Sequence, residues 1–265
     1  MTSVLPSFIL LLSFQFLPIL IPAVAGSSNG KAKFSYNEAT GKGPSKWGQL
    51  SPHWETCETG HKQSPISINY TNLTYNPTLG PLEAHYKPAI AAATMADRGV
   101  KVYWKGDAGY LMLNDTVYNL LQFHWHWDSE HSFNGSRYGL ELHLVHGSPK
   151  GLAVIGILYK IGRHDPLLEE LLPKIRDLGK EEKELGVMDA GSIYFDKSRY
   201  FRYMGSLTTP PCSEGVVWTM IKKTKHVSEK QVEQLRRIVG DRYGSTSRPL
   251  QQLNGRRVYM YHPQV

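Results

Sequence analysis

Two short triplets hold residue types that bind and activate a metal: His124-Trp125-His126 and Glu141-Leu142-His143. On a β-strand, alternate side chains share a face. Placed on strands, His124 and His126 point one way, and Glu141 and His143 share a face on the next strand. His143 follows His126 by seventeen positions, room for a strand to end, turn and return alongside. Three imidazoles from two adjacent strands supply three nitrogen donors and leave one tetrahedral position of Zn²⁺ open. That pattern belongs to catalytic zinc sites, since structural ones close all four positions.

An isolated His-x-His pair is weak evidence for a metal, because a strand histidine is more often a hydrogen-bonded core or surface group. The neighbours strengthen the reading. Gln122 shares a face with His124, and Glu141 with His143. A ligating imidazole gives its second N–H to a carboxylate, amide or carbonyl, which fixes the tautomer. A glutamate at a core-facing strand position is costly unless paired. Supporting the ligands from behind accounts for both Gln122 and Glu141.

Positioning these side chains requires a sheet. From Trp47 onward, Gly and Pro punctuate short β-rich runs, and residues 100–104, 120–127, 140–146, 153–161 and 215–222 read as strands. Residues 152–159 are nearly continuous in apolar side chains, as for a strand buried on both faces. Helices are few. Pro166–Ile175 is amphipathic with proline in its first turn. Residues 228–239 open on a capping box, Ser228 and Gln231, and place Val232, Leu235 and Val239 on one face. The pattern predicts a mainly β (α+β) fold in a single mixed domain dominated by one sheet.

The chain has 265 residues, 41% of them hydrophobic, which suits one domain with a sizeable core; length alone also permits two small ones. Residues 1–25 carry no charged side chain, and an apolar run over residues 8–21 leads to Ala23-Val24-Ala25, an A-x-A-like cleavage site. This reads as a secretory signal peptide, with a loose leader over residues 26–33. The rival is an uncleaved anchor, against which Pro18, Pro22 and the short apolar core argue. The expected location is extracellular, or a lumen on the secretory route, with no membrane span.

Cys57 and Cys212 are the only cysteines. An even count in a secreted chain favours one disulfide, with two buried thiols as the alternative. Asn69, Asn72, Asn114 and Asn134 fit the glycosylation rule, and Asn76 fails it because Pro77 follows. The net charge of +7 is scattered, densest at residues 222–225 and Arg256-Arg257. It reads as a solvated basic surface with weak attraction to acidic polymers, and no nucleic-acid site is indicated.

Two further segments offer chemistry. A water on zinc needs its lone pairs aimed at an electrophile. A threonine hydroxyl accepts that water's hydrogen bond when its own proton is committed to an ionised carboxylate, which only accepts. Thr208, in Ser206-Leu207-Thr208-Thr209-Pro210-Pro211-Cys212, and Glu130, in the turn after the His-x-His strand, can form that relay. Taken separately, each is equally a common loop residue.

In chain order, Gly43-Pro44-Ser45-Lys46-Trp47-Gly48, Gln63-Ser64-Pro65-Ile66, Gln122-Phe123-His124-Trp125-His126, Ser129-Glu130-His131, Glu141-Leu142-His143-Leu144-Val145-His146, the segment from Ser206 to Cys212 and Arg248-Pro249-Leu250-Gln251 resemble the α-type carbonic anhydrases. The resemblance spans about residues 34–259, and Cys212 to Thr219 is most similar to the secreted plant members. It implies a catalytic domain over residues 34–265, built on a central, twisted, mostly antiparallel sheet of roughly ten strands with short peripheral helices. It implies that His124, His126 and His143 bind Zn²⁺, with Gln122 and Glu141 behind them. Thr208 would orient the zinc-bound hydroxide, with Glu130 as its partner, and its N–H, beside Thr209, would meet the bound anion. Val145, Val154, Leu207, Val216 and Trp218 would form the apolar wall that receives CO₂. Tyr36 and Tyr203 would belong to the surrounding hydrogen-bonded network, and Cys57 would pair with Cys212.

The implied activity is reversible hydration of CO₂ to bicarbonate and a proton. One position departs from the family. Fast members carry a proton-shuttling histidine where Arg98 stands here, and Lys101 replaces a common polar neutral residue. Arginine does not titrate near neutrality, so the expectation is a hydratase limited by proton transfer, with His53, His61 and His131 as candidate substitutes. The rival reading is a non-enzymatic storage, defence or carbohydrate-binding protein on the same scaffold, with weak esterase activity as a side reaction.

Overall fold

The computed structural model describes residues 34–96, 99–240 and 244–263. The predicted signal peptide and leader, and Arg98, lie outside the described residues. Ten strands follow one another across the main sheet: β1 (Leu73–Tyr75), β2 (Pro88–Ala96), β3 (Gly99–Trp104), β4 (Thr116–His126), β5 (Leu140–Ser148), β6 (Gly151–Ile161), β7 (Lys183–Asp189), β8 (Tyr200–Ser206), β9 (Glu214–Ile221) and β10 (Val258–Tyr261). Their spatial order is β7-β2-β3-β4-β5-β6-β9-β8-β10-β1. Every junction is antiparallel except β6 with β9 and β10 with β1. Among the described residues, three more strands join the sheet: Glu83–Tyr86, Gly109–Leu113 and Lys225–Val227.

The centre of the sheet follows from its alternation. On β4, Phe123 and Trp125 turn into the main core while His124 and His126 face the other way. On β5, Leu142 and Leu144 do the same opposite Glu141 and His143. Each large apolar side chain removed from water here contributes about 1.5–3 kcal/mol, which anchors the strands that carry the histidines. Residues 153–159 of β6 are buried without a break, as their composition predicts.

The sequence reading located β3, β4, β5, β6 and β9 but passed over β1, β2, β7, β8 and β10. β2 is alanine-rich, and alanine favours helix in isolation. Here Ala91, Ala92 and Ala93 are completely buried, and β2 pairs with β3 on one side and β7 on the other. Ladder bonds and close packing on both faces override the local preference.

Both predicted helices form. α1 (Pro166–Ile175) is capped by Asp165 and buries Leu167, Leu168, Leu171, Leu172 and Ile175. α2 (Glu229–Val239) has the complete Ser228–Gln231 capping box. The Gln231 side chain also bonds both backbone groups of Asp165, which ties the two helix starts together. Cys57 and Cys212, 155 positions apart, form a disulfide. No helix among the described residues is long and apolar enough to cross a membrane.

Candidate functional site

The register of β4 against β5 sets His124 opposite His143, and His126 opposite Glu141. Directly opposed residues share a face, so all four side chains converge. The three imidazole centroids lie 4.7–5.1 Å apart. One nitrogen from each ring falls within 4.8 Å of the others.

Each remaining ring nitrogen has a partner that fixes its tautomer. His124 Nδ1–H donates to Gln122 Oε1 at 2.9 Å. His143 Nε2–H donates to Glu141 Oε1 at 2.7 Å. His126 Nδ1–H donates to the backbone carbonyl of Thr246 at 2.7 Å. The lone pairs left over are His124 Nε2, His126 Nε2 and His143 Nδ1. His126 Nε2 is buried and has no hydrogen-bond partner. An orphaned acceptor between two other imidazole lone pairs fits a divalent cation, and three neutral nitrogens with an open fourth position suit zinc. Burial holds the His124 and His143 imidazoles below their ordinary range. They therefore stay neutral and ready to ligate.

The support behind His143 is a buried chain of polar groups. Glu141 Oε1 accepts from His143 Nε2–H and from His131 Nδ1–H, both at 2.7 Å, and Oε2 accepts the His131 backbone N–H at 2.8 Å. Burial pushes the Glu141 carboxyl up, but the His131 and His143 imidazoles outweigh it and hold the group well below the usual carboxylate range. The Tyr203 O–H, whose pKa burial raises, donates to His131 Nε2 at 2.6 Å. Ser64 Oγ lies 2.8 Å from the Tyr203 oxygen. His131 is completely buried with both ring nitrogens engaged, which removes it as a proton shuttle. His53 and His61 are exposed. Tyr36 packs in an aromatic group with Phe34 and Trp47.

The loop between β8 and β9 carries Leu207, Thr208 and Thr209. It is pinned from below. Ser64 and Ser206 exchange bonds, each hydroxyl accepting the other's backbone N–H at 2.9 and 3.0 Å. Gln63 Nε2 donates to the Cys212 carbonyl at 3.1 Å, and Cys212 is bonded to Cys57. Arg248, 1% exposed, donates to Gln63 Oε1 and to the carbonyls of Ser64 and Cys57. These contacts explain why the segments around Gln63 and Arg248 accompany the site while lying outside its chemistry.

Val145, Val154, Val216 and Trp218 meet in one buried cluster, with Leu207 packed against it. His143 lies 4.8 Å from the Trp218 ring, so this apolar wall abuts the imidazoles.

The expected Thr208–Glu130 hydrogen bond is not formed. Glu130 Oε1 is taken by the Arg248 backbone N–H at 3.0 Å. Its Oε2 has no hydrogen-bond partner and lies 3.6 Å from His126 Nε2. The Thr246 carbonyl and the Arg248 N–H were invisible in the sequence, since every residue offers those groups. Asn69, Asn72, Asn114 and Asn134 are all exposed.

A mostly antiparallel sheet thus presents three convergent imidazoles, able to hold one metal ion, beside an apolar wall. Residues 42–262 match the eukaryotic-type carbonic anhydrase family model. The chain is 44% identical over 233 residues to alpha carbonic anhydrase 4 of Arabidopsis thaliana, covering 88% of this chain and 87% of that one. It superposes on dioscorin complexed with ascorbate with TM-score 0.84 and 40% identity, covering 87% of this chain and 98% of that one. It also superposes on the α-carbonic anhydrase of Thermovibrio ammonificans complexed with the inhibitor sulfanilamide, with TM-score 0.79, 34% identity and coverage of 87% and 100%. The chain belongs to the eukaryotic-type, or α, carbonic anhydrase family.

Proposed function

We propose that this chain is a zinc-dependent enzyme that hydrates CO₂ reversibly to bicarbonate and a proton. The observation that carries the reading is the trio of lone pairs on His124 Nε2, His126 Nε2 and His143 Nδ1, each set by a hydrogen bond to the opposite ring nitrogen. A bound zinc ion acts as a Lewis acid and lowers the pKa of the water it holds; carbonic anhydrase is the standard example of this effect.

The chain's own groups do the rest. Val145, Val154, Leu207, Val216 and Trp218 exclude water and receive the apolar substrate. Glu130 Oε2 is the acceptor left for the Thr208 hydroxyl proton, which would turn the threonine oxygen toward the nucleophile as an acceptor. The Thr208 N–H, beside Thr209, meets the anion formed. Glu141 holds the His143 tautomer and Gln122 that of His124. With arginine at position 98 and His131 enclosed, the released proton leaves through buffer or an exposed histidine such as His53 or His61.

The likeness to dioscorin supports a second reading, a non-enzymatic storage, defence or carbohydrate-binding protein on the same scaffold. Attack on activated esters is a side reaction under either. The uncharged, apolar residues 1–25 and the four exposed sequons support a secreted glycoprotein with its catalytic domain over residues 34–265. The basic surface supports weak attraction to acidic polymers. One assay separates the readings: zinc content and CO₂ hydration of the purified mature protein, with and without a sulfonamide. Stoichiometric zinc with sulfonamide-sensitive hydration supports the enzyme; a zinc-loaded protein without hydration supports the alternative.

A further inference from the structure

We propose that Lys101 forms an anion subsite on the wall of the metal centre, so that the site discriminates by charge among what it holds; the inference rests on the hydratase reading above. On β3, Val100, Val102 and Trp104 are buried in the main core, and Lys101 and Tyr103 take the opposite face. Lys101 is paired directly with His124, and Tyr103 with Gln122. Opposed residues on neighbouring antiparallel strands have Cβ atoms about 4.5–5.5 Å apart on one face. The lysine therefore rises beside a metal ligand, and its charge is felt at the His124 ring.

Nothing among the described residues neutralises it. Its partner on the other flank is Thr94. Its ammonium lies 6.0 Å from the centroid of the Tyr103 ring. Of the nearby carboxylates, Glu182 accepts from Tyr103, and both Glu182 and Glu184 pair with Lys105. Within the site, Glu141 is held by two imidazoles and Glu130 Oε1 by the Arg248 N–H, while Glu130 Oε2 lies 3.6 Å from His126 Nε2. A half-buried, unpaired lysine on the face that carries His124 attracts anions more strongly than one in bulk water. Neutral CO₂ gains nothing from it, whereas bicarbonate and anionic inhibitors do.

The test measures binding by calorimetry on the zinc-loaded protein with three probes that share one zinc-binding group: sulfanilamide, para-carboxybenzenesulfonamide and para-aminomethylbenzenesulfonamide. The native protein prefers the carboxylate over the ammonium probe. Lys101→Gln reduces that preference by roughly three- to tenfold, as expected for removing one charge at a partly solvated position. Lys101→Arg keeps it and Lys101→Glu reverses it; the sulfonamide group is common to all three probes, so its own response to the charge cancels in the comparison. A preference that Lys101→Gln and Lys101→Glu leave unchanged, with sulfanilamide still bound, overturns the subsite alone. Failure of the native protein to bind sulfanilamide overturns the hydratase reading and the subsite together.

Discussion

Glu141 Oε1 stands 2.7 Å from His143 Nε2, two positions along the same strand, and 2.7 Å from His131 Nδ1. One oxygen thus serves both a metal-facing imidazole and the enclosed one behind it. Replacing Glu141 by Ala frees the His143 tautomer and leaves a buried N–H of His131 unpaired. Zinc affinity falls about 10–100-fold, read as faster metal loss to a chelator, and unfolding becomes easier by about 1–3 kcal/mol. Unchanged zinc dissociation in a folded variant would refute the supporting role.

His126→Ala removes an imidazole whose facing nitrogen is buried with no hydrogen-bond partner. Two imidazoles remain, too few for a tight zinc site. The purified variant is expected to contain no stoichiometric zinc and to show no CO₂ hydration above buffer, with circular dichroism unchanged. Full zinc retention would contradict the assignment.

The Cys57–Cys212 bond closes a loop of 155 positions and holds the base of the segment carrying Thr208. Its loss in a Cys57→Ser, Cys212→Ser double variant costs about 2–5 kcal/mol. Denaturant titration reads the stability loss. Hydration drops in parallel even where the protein stays folded, because Cys212 lies four positions from Thr208; intact turnover in the folded variant would separate the loop from the disulfide.

Acid lability has an identifiable source outside the metal centre. His146 is completely buried, with Nδ1–H on the Ala153 carbonyl and the Tyr86 O–H donating to Nε2. Burial pushes its pKa down to about 4. The unfolded chain takes up this proton near pH ~6.5 and the folded one only near the lower value. The stabilisation is therefore full above the unfolded pKa and is lost as pH falls toward about 4, on the order of 3 kcal/mol in all. His146→Gln, which cannot titrate, should flatten the dependence of melting temperature on pH across that window. An equally steep slope in the variant would place the lability elsewhere.

Proton export should limit turnover. Added imidazole buffer raises kcat for hydration in stopped flow and leaves kcat/KM for CO₂ unchanged, because it acts after bicarbonate leaves. An Arg98→His variant becomes less dependent on that buffer. High turnover indifferent to imidazole would show that another group already carries the proton.

The strands bearing the histidines were legible because period-two alternation is local: Phe123 and Trp125 alternate with Gln122, His124 and His126, and Leu142 and Leu144 with Glu141 and His143. The helix starts were legible for a similar reason, since Ser228 and Gln231 act across a single turn. β2 was not, because its alanines become strand only when flanked by β3 and β7.

The donor types, their spacing and the identity of Gln122 and Glu141 as supports are properties of the chain read in order. What only the folded chain decided is which distant groups close the site. Thr246, 120 positions from His126, offers it a carbonyl, and Arg248, 118 positions from Glu130, offers it an N–H. His131, a candidate proton shuttle in the sequence, is enclosed between Glu141 and Tyr203. Backbone groups are the same at every residue, and burial depends on what packs from elsewhere. Neither leaves a mark in local composition until the sheet brings the two ends of the chain together.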